Sequence, residues 1–293
     1  MVRIILVAMA LSLLLSCNSC TDGGKSTVPD SPSVVGAWAE WSPDGKRIAV
    51  CWGGVPTVRD GGLYLIDTAG WVTTELFIDK TGIFSSVAWS VSGEWLLFAY
   101  NAQIYRIRAN GDSLTQLTFT SRQWDCDWSD SDSLIVYRIS IGDSSGIWLM
   151  HSDGSQKESL VRYGSYPAFA YGDSILFVEY TDVASKRAHL ALLNAPDSSL
   201  RTVHSWIVGQ PYNLYDHPRV AKTGGNVVLA IDLNVWSLKI DGTHLRQLTF
   251  DGGGLPNWSP SGDRVTYFKP TVEGGSLWIM NADGSGKMPV PGW

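Results

Sequence analysis

Three groups of residues have types and spacings that could support catalysis or metal binding. Gly142-Asp-Ser144-Ser-Gly146 matches the G-x-S-x-G pattern of a serine nucleophile, whose chemistry needs a strand-to-helix turn beside oxyanion donors. Asp125, Asp127 and Asp130 are close enough in sequence to offer carboxylate oxygens to Ca²⁺, but the glycine-containing loop of a typical calcium motif is absent. The histidines form neither an i, i+4 pair nor an H-x-H spacing; they are His151, His189, His204, His217 and His244.

Aromatic residues with nearby polar groups form a second set of candidates. Residues 204–217 include Trp206, Tyr212, Tyr215 and His217, which fall outside the repeated pattern described below. Trp124, Asp125 and Tyr166 occupy equivalent positions at the starts of other repeats. Aromatic rings with a few polar groups suit a sugar ring or a peptide anchor. We therefore predict a binding site here; the alternative is that residues 204–217 pack on themselves.

The elements that must position these residues follow from a pattern that occurs six times. Each repeat starts with an apolar marker that has Gly or Asp four positions later: Trp41, Trp89, Trp128, Phe169, Val220 and Trp258. A run rich in β-forming residues follows each marker and predicts a strand. The next strand carries a second marker: Tyr64, Tyr105, Trp148, Leu190, Trp236 or Trp278. In five repeats a glycine stands six residues beyond that marker, where it suits a turn.

A further strand closes most repeats, most clearly at residues 115–119 and 246–250. The first markers recur at intervals of about 40 to 50 residues, which is typical of four-stranded propeller blades. The sequence therefore predicts an all-β protein, a six-bladed β-propeller of four-stranded antiparallel blades, with the marker rings packed between sheets. In this arrangement the short Asp-Gly turns share one face and the variable connections share the other, where binding sites usually reside. Because Ser144 then links two strands, the helix of a nucleophile elbow is missing.

The N-terminal residues indicate export and lipid attachment. Arg3 precedes an apolar stretch that is too short to span a bilayer, and Leu14-Leu15-Ser16-Cys17 follows it. This resembles a bacterial lipoprotein signal, which implies cleavage before Cys17 and acylation of Cys17; the alternative is an ordinary secretory signal with an incidental cysteine. We predict a signal peptide at 1–16, a flexible, disordered tether at 17–33 and the propeller at 34–293.

Composition limits the classes of partner and of cross-link. The chain has 22 basic and 28 acidic residues, a net charge of −6 that becomes −7 when Arg3 is removed with the signal. Without a basic run, the chain lacks the electrostatic attraction on which nucleic-acid binding depends. Cys51 and Cys126 fall in different blades, so we predict two small buried thiols and no disulfide between them.

Three segments resemble the repeat of TolB-type β-propellers: Trp41-Ser-Pro-Asp-Gly-Lys-Arg-Ile-Ala-Val50, Arg246-Gln-Leu-Thr249 and Leu277-Trp-Ile-Met-Asn-Ala-Asp-Gly-Ser285. The resemblance covers residues 34–290 and implies the propeller fold. It does not imply one function, because this repeat occurs in periplasmic TolB, in peptidase propeller domains, in some polysaccharide lyases and in many lipoproteins. We expect neither the N-terminal α/β domain of TolB nor a hydrolase domain after the sixth blade.

Two functions compete at this point. The first is a non-enzymatic, monomeric envelope lipoprotein on the periplasmic side of the outer membrane, which needs no cofactor or metal and docks a protein or a glycan on its variable face. The resemblance implies an analogy with TolB, whose channel mouth receives a lipoprotein. The second is a polysaccharide lyase in which His217 and carboxylates at the channel mouth act as acid, base or metal ligands. A lyase acting on an acidic sugar would need Arg122, Arg162 or Arg219 to point into the same pocket as His217.

Overall fold

The computed structural model describes residues 36–53, 59–120, 122–182, 187–194, 198–207, 217–271 and 274–293, which belong to one compact unit, Val34–Trp293. These residues form six antiparallel sheets of four strands each, and within every sheet the strands are neighbours in chain order. The predicted six-bladed β-propeller is therefore confirmed. No helix in the described ranges is both long enough and apolar enough to cross a membrane.

Each blade is a meander of four consecutive strands. Blade 1 contains β1 (Ala37–Trp41), β2 (Arg47–Trp52), β3 (Gly62–Asp67) and β4 (Thr73–Ile78). Blade 2 contains β5 (Phe84–Trp89), β6 (Trp95–Tyr100), β7 (Gln103–Arg108) and β8 (Thr115–Gln116). Blade 3 contains β9 (Gln123–Trp128), β10 (Leu134–Ile139), β11 (Gly146–His151) and β12 (Glu158–Arg162).

The second half of the ring repeats this plan. Blade 4 contains β13 (Gly164–Phe169), β14 (Ile175–Asp182), β15 (Arg187–Leu193) and β16 (Leu200–Ile207). Blade 5 contains β17 (Arg219–Val220), β18 (Asn226–Ile231), β19 (Asn234–Lys239) and β20 (Arg246–Gln247). Blade 6 contains β21 (Gly254–Trp258), β22 (Arg264–Lys269), β23 (Ser276–Asn281) and β24 (Met288–Pro289). Two single-turn 3₁₀ helices, Gly142–Ser144 and Tyr171–Asp173, lie in connections.

The serine that follows four of the first markers explains why the turn after β1 and its equivalents is so regular. The Ser42 hydroxyl accepts a hydrogen bond from the backbone N–H of Arg47 at 2.9 Å. Ser90, Ser129 and Ser259 repeat this bond with Trp95, Leu134 and Arg264, each at 3.0 Å. The side chain thus satisfies the first N–H of the returning strand and fixes the hairpin.

The predicted fourth strand of blade 2, residues 115–119, is paired only at Thr115–Gln116. Beyond this pair, the Ile104 N–H donates to the hydroxyl of Thr118 at 2.9 Å and ends the ladder. Phe119 therefore leaves the sheet and is 73% exposed. Blade 5 has the same arrangement, with Val235 N–H, Thr249 and Phe250 as the corresponding groups.

The core consists of apolar clusters between neighbouring blades. The markers Trp41, Trp89, Trp128, Phe169 and Trp258 are at most 7% exposed, as predicted. One cluster joins blades 6, 1 and 2, and four others fill the gaps between blades 2 and 3, 3 and 4, 4 and 5, and 5 and 6. Cys51 and Cys126 are buried free thiols, as predicted.

Contacts between blades 1 and 6 close the ring. The innermost strands β1 and β21 lie against each other, and every described sheet is formed from one continuous part of the chain. Trp293 packs edge-on against Trp52 and Tyr64, with ring centroids 6.1 and 5.3 Å apart. The guanidinium of Arg59 covers the Trp293 ring at 3.9 Å and donates to the Gly292 carbonyl at 2.7 Å.

Candidate functional site

A ring of side chains surrounds the central channel at one level. Each belongs to the position three residues before a first marker, on or beside the innermost strand of its blade. The six residues are Trp38, Ser86, Asp125, Tyr166, His217 and Leu255. All are at most 9% exposed.

Four of these six residues have a left-handed backbone. The φ angles are 46° at Ser86, 49° at Asp125, 54° at Tyr166 and 52° at Leu255, and each residue lies at a shift in the register of its innermost strand. Such bulges redirect side chains and are common beside functional sites. A left-handed backbone costs on the order of 1 kcal/mol or more for a residue other than glycine. Four of the six innermost strands therefore share one distortion at the level of the ring.

His217 is the centre of the contacts that cross the channel. The Trp38 indole N–H donates to His217 Nε2 at 3.4 Å, and the Tyr166 ring lies 4.4 Å from the His217 ring. Burial, and then the positive charges of Arg219 and Arg138, hold the pKa of His217 well below its ordinary value. The imidazole is therefore neutral at neutral pH.

Asp125 connects this histidine to a half-buried arginine, Arg138. Its Oδ1 lies 3.5 Å from His217 Nε2, and its Oδ2 lies 3.6 Å from Arg138 Nη1. Burial raises the pKa of Asp125, although Arg138 and Arg219 oppose this effect. Because the imidazole is neutral, the contact between Asp125 and His217 is not an ion pair. His217 Nε2 carries no proton when it accepts the Trp38 indole N–H. Its contact with Asp125 is then favourable only when the Asp125 carboxyl group is protonated and donates.

A second layer of charge lies deeper in the channel. Burial, and then the negative charge of Asp127, raise the pKa of Glu40 to about 8, while Arg219 and Lys222 oppose the rise. Asp127 accepts the backbone N–H of Phe169 at 2.8 Å and so joins blades 3 and 4. At the far end, Lys222 of blade 5 pairs with Asp130 of blade 3 at 3.0 Å.

The side chains leave little free volume between the two layers. A cavity of about 10 Å³ is lined by residues that include Trp38, His217, Arg219, Leu255 and Asn257. This volume corresponds to about one water molecule. His217 Nδ1 and Glu40 Oε2 are buried and have no hydrogen-bond partner among the described residues. This cavity is too small for a sugar ring.

The structure brings together three of the predicted site residues. Asp125, Tyr166 and His217 meet in the channel as described above. Trp124 does not join them, because it packs with the apolar cluster between blades 2 and 3. Tyr212 and Tyr215 lie outside the described residues.

The prediction that Trp206 lies at the channel mouth is wrong. Trp206 belongs to β16, the outermost strand of blade 4, and is buried in the cluster between blades 4 and 5. It is paired with Ala188, a fully buried small residue that leaves space for the indole. The pattern was misread because β16 extends to Ile207, well into the segment expected to be a connection.

The other candidate motifs do not form catalytic or metal sites in the described chain. The carboxylates of Asp125, Asp127 and Asp130 have separate partners, and no group of three potential ligands converges there. Ser144 ends a 3₁₀ turn between two strands, and its carbonyl accepts the Trp148 indole N–H. Arg162 pairs with Asp143 at the surface.

Sequence reasoning missed Trp38, Glu40 and Arg138, and it named Arg219 only as a condition for a lyase. Aligning the repeats on the first marker gives a signal for three of these four residues: Trp38 stands three positions before its marker, and Glu40 and Arg219 stand one position before theirs. At these two positions of the repeat the chain has charged and aromatic residues, whereas a strand with a purely structural role would have apolar residues there. Arg138 carries no comparable signal, since it comes from β10.

A second candidate surface lies outside the channel. We define the long-loop face as the face formed by the links between blades and the connections between second and third strands; the short-turn face is opposite. One large apolar side chain that is 57–77% exposed stands at or beside each of five successive links: Ile83, Phe119, Tyr163, Ile207 and Phe250. At the sixth junction Trp293 is half-buried.

Comparisons with known proteins identify the fold but not a family. No family model matches the chain. An uncharacterized protein of Agrobacterium fabrum is 24% identical over 268 residues, an alignment that covers 84% of this chain and 62% of that protein. The chain therefore spans less than two thirds of the length of this relative.

Several solved propellers have a similar structure. A putative TolB from Agrobacterium tumefaciens has a TM-score of 0.63 at 17% identity, covering 75% of this chain and 84% of that one. TolB from Acinetobacter baumannii has a TM-score of 0.66 at 15% identity, with coverages of 88% and 64%. An oligogalacturonate lyase from Vibrio parahaemolyticus has a TM-score of 0.57 at 11% identity, with coverages of 83% and 77%. The chain thus has a TolB-like β-propeller fold, which both binding proteins and enzymes use.

Proposed function

We propose that this protein is a non-enzymatic, lipid-anchored protein of the cell envelope whose long-loop face docks another envelope protein. The observation that supports this most directly is the series of exposed apolar residues at five successive links. Exposed apolar residues also stand on the short-turn face, but the two most exposed large apolar side chains in the described chain, Phe250 and Phe119, belong to the links. Aromatic and large aliphatic side chains of this kind act as anchors in protein interfaces.

The filled channel favours a partner that rests on this face rather than one that threads through the ring. Trp38, Asp125, Tyr166 and His217 close the channel, and their polar groups are mostly occupied by one another. A glycan would need polar groups exposed around an aromatic platform, whereas the side chains offered at the links are apolar. A protein partner therefore suits the long-loop face better than a glycan.

A polysaccharide lyase is the weaker candidate. Arg219 does line the same cavity as His217, which is one of the conditions set for a lyase. However, a cavity of about 10 Å³ is far below the roughly 300 to 1,000 Å³ of pockets that bury small ligands. His217 is also only 3% exposed, so it offers no surface to an incoming sugar chain.

The proposed location in the cell envelope rests on the N-terminal signal and on acylation of Cys17, which both lie outside the described residues. In this proposal residues 17–33 tether the propeller to the periplasmic side of the outer membrane. Metabolic labelling with a clickable palmitate analogue should label the wild-type chain and fail to label Cys17→Ser. Equal labelling of both would refute the anchor without affecting the proposed docking face.

Site-specific photo-crosslinking tests the docking face. A photoreactive phenylalanine analogue is placed at position 119 or 250 of the full-length, acylated chain and activated in intact cells. We expect the same partner protein to be crosslinked from both positions, because both side chains lie on the long-loop face. A Phe119→Ser, Phe250→Ser double variant should then lose that partner in pull-down experiments.

Positions 114 and 245 provide matched controls. Leu114 and Leu245 belong to the same two blades and are 43% and 40% exposed, but they lie on the short-turn face. Probes at these positions should not crosslink the partner. Equal crosslinking from both faces, or no specific crosslink from positions 119 and 250, would contradict the proposed surface.

A further inference from the structure

A second pocket lies on the short-turn face where blades 6 and 1 meet. We define the seam pocket by Trp41, Thr68, Trp71, Ser261, Asp263 and Arg264, which are among its lining residues. Its volume is about 250 Å³, compared with about 10 Å³ for the cavity in the channel. It is therefore the larger of these two cavities, and it lies on the face opposite the proposed docking surface.

Trp71 is an unusual residue for its position. In blades 2, 3, 5 and 6 the residue after the turn glycine is small and polar, and its carbonyl accepts the N–H that closes the turn; these residues are Asp112, Ser155, Thr243 and Ser285. In blade 1 the closing bond runs instead from Asp67 N–H to Val72 carbonyl at 2.9 Å. The connection itself is not longer, because Tyr64 pairs with Glu75 at the same spacing at which Tyr105 pairs with Gln116 and Trp236 with Gln247. Trp71 therefore stands where the other blades have a small polar residue, and the turn of blade 1 closes one residue later.

The backbone at Trp71 is left-handed, with φ at 55°. This conformation is rare for a bulky side chain and costs on the order of 1 kcal/mol or more. The Trp71 indole packs against the core cluster of blade 1 but is only partly buried, so part of it remains available at the pocket. A strained and half-exposed tryptophan in the place of a small polar residue suits a platform for a ligand better than it suits a turn.

The neighbouring turns hold the polar part of the pocket in place. The Thr68 hydroxyl bonds to the carbonyls of Gly45 and Lys46 at 3.2 and 3.0 Å, which joins the two turns of blade 1. Asp263 accepts the Ser259 hydroxyl at 2.7 Å and also the Ser261 hydroxyl. These hydroxyl groups lower the pKa of Asp263, so its carboxylate is ionised and oriented at neutral pH.

Arg264 differs from the equivalent residue of blade 1. There, Arg47 covers the marker Trp89 of the next blade at 4.9 Å. Arg264 and the corresponding marker Trp41 line the seam pocket, and in the described residues Arg264 has neither a ring contact nor a carboxylate within 4.0 Å. Its guanidinium is thus available to a ligand beside the exposed part of Trp71.

We propose that the seam pocket binds one pyranose ring of a carbohydrate. The C–H groups of a sugar ring can stack on the indole of Trp71, while its hydroxyls bond to the carboxylate of Asp263 and the guanidinium of Arg264. The volume lies just below the roughly 300 to 1,000 Å³ of pockets for larger ligands, so it fits a single ring better than an extended oligosaccharide. This site is independent of the protein-docking face.

Saturation-transfer difference NMR on the full, acylated chain in detergent micelles tests the proposal. The probes are the methyl glycosides of glucose, galactose, N-acetylglucosamine and glucuronic acid. We expect saturable, millimolar binding of at least one of them. Trp71→Ala should weaken this binding at least about tenfold, and Arg264→Gln several-fold, because each removes one of the two main contacts.

Two further variants separate binding from folding. Val72→Ala removes an exposed neighbour outside the pocket and should bind as the wild type does, while Trp71→Phe should keep part of the affinity. Arg264 is exposed, so its substitution leaves the core intact. The proposal is overturned if no probe binds, if a peptide binds in its place, or if Arg264→Gln binds normally and Trp71→Ala fails only because it unfolds.

Discussion

Glu40 determines part of the pH dependence of the fold. Its carboxyl group is buried in the channel, facing Asp127 of blade 3 and the cations Arg219 and Lys222 of blade 5. The folded pKa of about 8 lies above the unfolded value of 4.5, so the folded state holds this proton more tightly. The stabilising contribution of the protonated group is complete below pH 4.5 and is lost as the pH rises through about 8.

Replacing Glu40 with glutamine should remove this dependence. Glu40→Gln keeps the size and hydrogen-bonding capacity of the protonated acid but cannot ionise. We expect the variant to melt at the same temperature as the wild type at pH 4.5 and at a higher temperature at pH 8. The free energy of unfolding at pH 8 should rise by a few kcal/mol, since each pKa unit corresponds to about 1.4 kcal/mol. Thermal unfolding of both proteins between pH 4.5 and 9 measures this difference in stability.

Glu158→Gln provides a control, because Glu158 is exposed on β12, and this variant should follow the wild-type pH profile throughout. If Glu40→Gln also follows the wild-type profile, the buried carboxyl group of Glu40 is not the cause of the pH dependence.

Among the elements, the turn between the third and fourth strands of blade 5 shows how closely one blade packs against its neighbour. Gly242 in blade 5 has φ of 90°, and a Cβ atom there would lie 2.2 Å from the carbonyl oxygen of Val203 in blade 4. Gly45 has a similar φ of 71°, but nothing lies within 4 Å of its Cβ position. The first glycine is therefore required for both conformation and close packing, whereas the second is required for conformation alone.

The two glycine-to-alanine variants should differ accordingly. Gly45→Ala should destabilise the fold by about 1 kcal/mol, which is the strain of a left-handed alanine. Gly242→Ala should cost at least about 2 kcal/mol more, because the backbone of blade 4 must also move away. Urea denaturation of both variants measures the difference in free energy of unfolding. Equal losses would mean that the contact between the blades yields easily.

The same elements show what the sequence could predict. The repeats identified all six blades, and β6 and β10 lie on the β-forming runs that follow the markers Trp89 and Trp128. The channel was predicted only in part. Its bulges place Ser86, Asp125, Tyr166 and Leu255 in left-handed conformations that local propensity does not favour, and its contacts join residues as distant as Trp38 and His217. Such convergence depends on ring closure, which no single repeat encodes.

At the scale of the whole molecule, stability depends on how the ring closes. Blades 2 to 5 each meet their neighbours through a continuing chain, but the junction of blades 6 and 1 is held by noncovalent contacts alone among the described residues. Trp293 contributes to this junction through the rings of Trp52 and Tyr64 and through a bond from its indole N–H to the Thr73 hydroxyl at 3.1 Å. Weakening the junction of blades 6 and 1 should therefore cause these two blades to unfold before the others.

Trp293→Ala tests this view of the ring. Complete burial of a tryptophan is worth roughly 3 to 5 kcal/mol in such substitutions, and Trp293 is half-buried, so we expect a loss of about 2 kcal/mol. Hydrogen exchange should rise first in β1 to β4 and β21 to β24, because local opening follows the weakest junction. Trp148→Ala, which removes a half-buried tryptophan from the cluster between blades 2 and 3, should instead increase exchange in those two blades. If both variants raise exchange uniformly around the ring, the propeller unfolds as one cooperative unit and the junction of blades 6 and 1 is no weaker than the others.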